Sequence, residues 1–346
     1  MEAHDGSPPT RDDVMAAYRL LLGRAPESDH LVQHHLAAGD RRSMIHRVLV
    51  SPEFGVRFPA LGSEPDPRLQ LALDELGPSE PPPPGPDHWT DALGVRTSCH
   101  VRSEWETRGG RHVPDLEGDT LEWLGLLEAV LAAGSRLCVV ELGAGHGPWL
   151  ARAGVAWRRR GPQRRFCLVG VEAEPTHFRY LQEHMADNGL AGESTRLIEA
   201  AVAEHDGRLQ FETTPAPSRD WGTRVVGDSP TRGLPRVVDV GSRSVAALSL
   251  ATIVDGLGTI DLLHVDIQGD EARVLTAGSD VLRQQVTRLV VGTHGRDIEA
   301  ELMHLLPALG FVLAAERPCR YSLGGSSPTL VTDGTQYWIR AGAHDR

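Results

Sequence analysis

"LCVVELGAGHGPWL", residues 137–150, is the stretch whose reading decides the fold. A short apolar run ends in an acid, Glu141, and breaks into Gly143, Gly145 and Gly147 before the chain resumes at Trp149 and Leu150. A continuous apolar run of this kind is a strand buried on both faces. A glycine turn between such a strand and a helix brings backbone N–H groups close to a ligand, most often a nucleotide. Further strands are predicted at 167–172, 196–202, 261–266 and 288–293, with helices in most of the gaps, for example at 175–189. Strand and helix in alternation mean an α/β fold with a doubly wound, mostly parallel sheet. Asp206-Gly207 reads as a hairpin turn, 213–243 as a long irregular loop, and the last forty residues as a closing pair of strands.

Which nucleotide the turn holds follows from its neighbours. A dinucleotide fingerprint requires G-x-G-x-x-G. Gly143 and Gly145 fill the first two places, but the third is Pro148. Glu141, at the strand end, would repel a pyrophosphate and suits a ligand with an ammonium and a sulfonium, as in S-adenosylmethionine. An acid at the tip of the second strand accepts ribose hydroxyls, and Glu172, ending "LVGVE", is in that place; Glu174 is expected to face solvent. The expected cofactor contacts are therefore Glu141, Gly143, Ala144, Gly145, Gly147, Glu172 and, on the third strand, Ala201.

Composition narrows the partners. The net charge is −12, which argues against a nucleic-acid binder; "RRRGPQRR" at 158–165 reads as a solvated helix end. All 35 basic residues are arginine, so Schiff-base chemistry and the P-loop lysine are excluded. The cysteines at 99, 138, 167 and 319 form no metal or disulfide pattern, which fits a reducing cytoplasm. No apolar stretch approaches the ~20 residues that span a bilayer, so no membrane is expected. Residues 1–60 read as a small helical domain, 61–88, with "PSEPPPPGPD", as an extended Pro-rich linker, and 89–346 as the sheet domain. The helical domain is a place where two chains could meet as a homo-oligomer.

Five ordered blocks, "VVELGAGHGPWL", "GVEAEPTHFRYLQEHMADNG", "EAAVAEHDGRLQF", "DLLHVDIQGDEARVL" and "VVGTHGRDIEAELMHLLPALGF", resemble FkbM-type S-adenosylmethionine-dependent methyltransferases over about 90–340. The resemblance implies a class I methyltransferase sheet of the Rossmann-like type and O-methylation of a sugar or natural product. The family usually has Lys where His264 stands, and often an acid where Gln268 stands. "YRLLLGRAPESDH…VLVSPEF" resembles a helical domain similar to phycobilisome linker repeats, which implies docking rather than chemistry.

In a doubly wound sheet the ligand lies at the carboxyl ends of the strands. Asp266 ends the fourth strand and His294 follows the fifth, so both are expected to face the acceptor. The protein must align the acceptor hydroxyl and remove its proton. His294 could be a base, or a divalent metal held by Asp266 and His294 could lower the hydroxyl's pKa. Glu271 is expected to support the helix after Asp266. Trp221, with Gly222, and Arg96 are expected to cover the acceptor; His100, His112 and His264 are reserve candidates for the base.

Overall fold

The structure, a computed structural model, describes residues 7–22, 24–49, 67–76, 87–101, 119–161, 164–226, 241–322 and 328–342. The chain divides into two compact units, residues 1–67 and 68–346.

In the first unit, Thr10 and Asp13 cap helix α1 (Arg11–Ala17) reciprocally. Thr10 Oγ1 accepts from the Asp13 N–H at 3.3 Å, and the Asp13 carboxylate accepts from the Thr10 N–H at 2.7 Å. A π-helical turn, Tyr18–Leu22, continues α1; α2 (Asp29–Leu36) and α3 (Arg41–Leu49) follow. Val14, Tyr18, Leu22, Val32, Met44 and Val48 form their common core.

The second unit begins earlier than residue 89. Helix α4 (Pro67–Glu75) lies inside the stretch expected to be an extended spacer, and its Leu69 and Ala72 are buried in the sheet domain's core. Its apolar residues outweigh the surrounding prolines, which fall mostly outside the described residues. A small hairpin, β1 (His88–Thr90) and β2 (Arg96–Ser98), leads to α5 (Thr120–Ala132).

The sheet proper then alternates with helices: β3 (Arg136–Leu142), α6 (Pro148–Arg159), β4 (Arg165–Glu172), α7 (Pro175–Asp187) and β5 (Thr195–Glu199). After an excursion come β9 (Leu262–Val265), α9 (Glu271–Ala277), α10 (Ser279–Gln285), β10 (Arg288–Thr293), α11 (Arg296–Ala308), β11 (Phe311–Arg317) and β14 (Gly334–Arg340). Among the described residues the strands run β11-β14-β10-β9-β3-β4-β5. Strands β5, β4, β3, β9 and β10 are parallel, and β14 is antiparallel to both of its neighbours. The closing strands β11 and β14 are paired as the sequence predicts; the β12 (Arg320–Ser322) and β13 (Thr329–Thr332) hairpin lies between them in the chain.

The excursion differs from expectation. The strand expected over 196–202 breaks at Ala200, whose N–H is taken by the Glu172 carbonyl at 3.0 Å. The chain then enters a separate sheet, β6 (Ala201–Ala203), β8 (Gly241–Ser249) and β7 (Gly207–Thr213), with β8 in the middle. Asp206-Gly207 therefore joins two strands that are not neighbours. The Asp206 carboxylate instead accepts from the Ser249 N–H and Thr252 Oγ1, each at 2.7 Å, at the start of α8 (Leu250–Ile253). Asp-Gly satisfies local hydrogen bonds here, which sequence alone does not separate from a hairpin turn.

Successive strands leave β3 in one direction through β4 and in the other through β9. The switch point lies between β3 and β9, where a ligand crevice forms. No helix among the described residues is long and apolar enough to cross a membrane.

Candidate functional site

The glycine turn is shaped by its contacts. Gly143 and Gly145 have φ of +73° and +55°, in the left-handed region that favours glycine. A Cβ on Gly143 would lie 1.8 Å from the Asp266 carbonyl oxygen, so the loops after β3 and β9 touch through that glycine. A Cβ on Gly145 would lie 3.3 Å from the Trp221 ring. The N–H groups of Gly143 and Ala144 donate to the Val171 carbonyl, and the Gly145 N–H donates to Glu172 Oε2 at 2.8 Å. Gly147 caps α6, with Pro148 in the first turn, where its missing N–H costs nothing.

A cavity of about 180 Å³ opens beside this turn, lined by Glu141, Ala144, His146, Trp149, Trp221 and Asp266 among others. Asp119, Glu122, Arg152, His264 and Gln268 also reach it. Arg152, the one arginine lining the cavity among the described residues, is already matched. It donates to Asp91 at 3.0 Å and lies over Trp123 and Trp149, 4.5 Å from each ring. The four acids therefore leave the cavity suited to a cationic ligand.

Glu141 is 1% exposed and accepts from the Leu150 N–H at 3.0 Å; burial pushes its carboxyl up to about 8. Glu172 is buried as well and pushed up to about 7, despite accepting from Gly145 and, at 2.6 Å, from the Glu174 N–H. Glu174, expected to face solvent, is buried: it caps α7 by accepting from the Thr176 and His177 N–H groups. Trp221 lies against His177, ring centroids 4.4 Å apart and 14° from parallel. The His177 Nε2 and the Pro217 carbonyl, 2.9 Å apart, tie this loop to α7.

Asp266 and His294 come together as expected, through a third group. His294 Nδ1 is 2.9 Å from Glu271 Oε1, and its Nε2 is 3.4 Å from Asp266 Oδ1. Although burial opposes it, the Glu271 and Asp266 carboxylates raise His294 to about 10. The two carboxylates thus favour the protonated imidazolium over the free imidazole expected of a base. Glu271 is fully buried and also accepts from the Ile267 and Gly269 N–H groups. It was expected to support the helix; its side chain instead holds the loop before α9, and it also fixes His294. Asp266 is the member that opens to the cavity, with 42% of its side chain exposed. Gln268 Nε2 donates to Asp266 Oδ1 at 2.8 Å from a backbone with φ of +60°. A non-glycine residue held there is strained, as is common at functional sites.

Of the expected residues, Gly147 and Glu172 lie behind the cavity lining, next to the turn, and Arg96 and Ala201 do not join the site. Arg96 is exposed on β2, where its backbone N–H and carbonyl pair with the Asn188 side chain, each at 2.8 Å. Ala201 starts β6 and packs with Ala173, Phe211 and Val245, outside the cavity lining. His112 lies outside the described residues. Glu122 and Arg152 were not anticipated. The signal for Glu122 was an acid near the start of an otherwise apolar helix, "TLEWLGLLEAVLA".

The sheet order, the turn after β3 and the acid after β9 define a class I, Rossmann-like methyltransferase fold. The sequence model described as "Methyltransferase FkbM domain" matches residues 141–320. The chain belongs to the FkbM methyltransferase family. It is 28% identical over 252 residues to a curated protein of Jannaschia sp. (strain CCS1) named "Putative methyltransferase", covering 71% of this chain and 89% of that one. Among solved structures it is similar to a precorrin-6y C5,15-methyltransferase from Geobacter metallireducens GS-15 (10% identity, 63% of this chain and 87% of that one, TM-score 0.34). It is also similar to a ribosomal protein L11 methylase from Lactobacillus delbrueckii subsp. bulgaricus (13% identity, 66% and 83%, TM-score 0.35).

Proposed function

We propose that the protein is an S-adenosylmethionine-dependent O-methyltransferase acting on a hydroxyl of a sugar or natural-product small molecule. The observation that carries this reading is the acidic cavity between the Glu141–Gly147 turn and Asp266. The fit to the cofactor rests on two features: the glycine positions that a Cβ would fill, and the excess of carboxylates facing a cationic ligand. The cofactor supplies a methyl group on a sulfonium, already a good leaving group. Glu141 and the backbone of Gly143–Gly145 hold its charged centre, and Glu172 lies behind Gly145 for the ribose. A cavity of 180 Å³ is smaller than typical ligand pockets of ~300–1,000 Å³, and Trp221, against Gly145, is the side chain that would have to move to enlarge it.

Asp266 takes the acceptor's proton, because it alone of the Asp266–His294–Glu271 group opens to the cavity. His294, as an imidazolium fixed by Glu271, orients Asp266. A second reading is favoured by one observation: ligand atoms of Asp266, Glu271 and His294 lie within 4.8 Å of one another, and the buried Glu271 Oε2 has no partner among the described residues. A divalent cation held by these three would displace the His294 proton and acidify the hydroxyl. An imidazole ligand favours a transition metal over magnesium.

Titration calorimetry tests the cofactor: binding of S-adenosylmethionine and its demethylated product with similar strength, and NAD hardly at all, is expected. NAD binding that equals either would overturn the reading. Turnover of labelled cofactor against sugar and natural-product hydroxyls tests the reaction. Loss of turnover on chelation, restored by added divalent ion, would select the metal reading; indifference to chelators would select Asp266 alone.

A further inference from the structure

Two buried polar atoms, without partners among the described residues, belong to side chains that line the same cavity. Glu122, in the first turn of α5, has Oε1 tied to the Thr335 hydroxyl at 3.0 Å and leaves Oε2 buried with no partner. His264, on β9, is 4% exposed, and its Nδ1 has no partner. His264 is paired in register with Glu141 across β3 and β9, and both line the cavity together with Glu122. Leaving such groups buried and unpaired is costly, and a bound partner removes that cost.

We propose that Glu122 and His264 recognise the amino-acid end of S-adenosylmethionine: Glu122, with Glu141, takes the α-ammonium, and His264 donates a ring N–H to the α-carboxylate. This rests on the cofactor reading above and assigns its methionine end. The chemistry of the wall requires a zwitterion. A cation beside two buried carboxyls favours their ionised form, whereas a neutral imidazole offers one N–H to an anion. Arg152 is not the partner of the α-carboxylate, because Asp91 holds its charge and Trp123 and Trp149 lie over its guanidinium. The Trp149 ring, centroid 5.6 Å from that of His264, supplies an apolar face for the methylene groups between the two charged ends.

The test compares two ligands that share the nucleoside and differ in the amino-acid end: S-adenosylhomocysteine, and 5′-methylthioadenosine, which lacks the amino and carboxyl groups. Calorimetric titration of the full chain is expected to show a clear preference for S-adenosylhomocysteine. Glu122→Gln, which keeps the amide oxygen for Thr335, and His264→Ala should each weaken S-adenosylhomocysteine ~10- to 100-fold, the range for a lost charge-assisted hydrogen bond. Neither variant should change methylthioadenosine binding. Equal weakening of both ligands, or unchanged S-adenosylhomocysteine binding in both variants, would overturn the assignment. A wild-type chain that binds methylthioadenosine as tightly as S-adenosylhomocysteine would overturn it while leaving the cofactor reading standing. A chain that binds none of these adenosyl ligands would overturn both.

Discussion

Gly145 and His294 are the residues at which the chemistry can be tested most directly. Gly145→Val places a β-branched side chain at a φ of +55° and against the Trp221 ring. Both the strain and the lost space lie where the cofactor must approach, so calorimetry should detect no cofactor binding in a folded variant. Asp266→Asn and His294→Ala leave the Glu141–Gly147 turn intact. They should keep cofactor binding and lower turnover by at least ~100-fold, the low end for lost acid–base help. The pH profile separates roles. A free imidazole at 294 would give activity rising through pH 6.5; His294 held as an imidazolium to about 10 gives no such rise. A rise centred near 6.5 that disappears in His294→Ala would restore His294 as the base.

Elements that repeat a periodic signal were legible, and those set by contacts across the fold were not. "LCVVELGAG" reads as strand and turn because both sheet faces bury it, and the same holds for "LLHVD" and "RLVVGT". The pairing of Asp266 with His294 followed, because strand ends in a doubly wound sheet converge. The break at Ala200 and the Asp206 contacts were not legible, since they depend on a carbonyl of Glu172 and on Ser249 and Thr252, which no local pattern specifies. Glu122 was missed for the same reason: its partner Thr335 lies on the last strand, far along the chain. The Asp206 reading has its own test. Asp206→Ala removes both hydrogen bonds at the start of α8 and should destabilise the sheet unit, as for other lost caps, lowering the midpoint of urea unfolding. A glycine-compatible hairpin turn would instead tolerate alanine at 206 with no measurable change.

At the scale of the whole molecule, stability should depend on pH in a direction set by the buried site. Glu141, Glu172 and Glu122 are raised by burial to about 8, 7 and 7, from an ordinary value of 4.5. Above 4.5 the unfolded chain releases these protons while the folded chain keeps them, so stability falls as pH rises through the folded values. His294, raised to about 10, acts in the same direction: its contribution is complete below 6.5 and is lost as pH approaches 10. His184 and His264 are lowered, to about 4 and 3, and oppose this only below 6.5, where the unfolded chain would protonate them. Between pH 6.5 and 9 all the strongly perturbed groups of the site therefore push one way, and a tenfold difference in proton affinity between folded and unfolded chain is worth ~1.4 kcal/mol. Urea unfolding should give a lower stability at pH 9 than at pH 7, and Glu141→Gln should flatten that slope, because it removes the most strongly raised of the three carboxyls. A bound sulfonium or ammonium should flatten it too, by favouring the ionised carboxylates, so S-adenosylhomocysteine should protect the protein more at pH 9 than at pH 7. A stability that rises over this interval would mean that these carboxyls are ionised in the folded chain, and the cavity would then be far more open to water than their burial indicates.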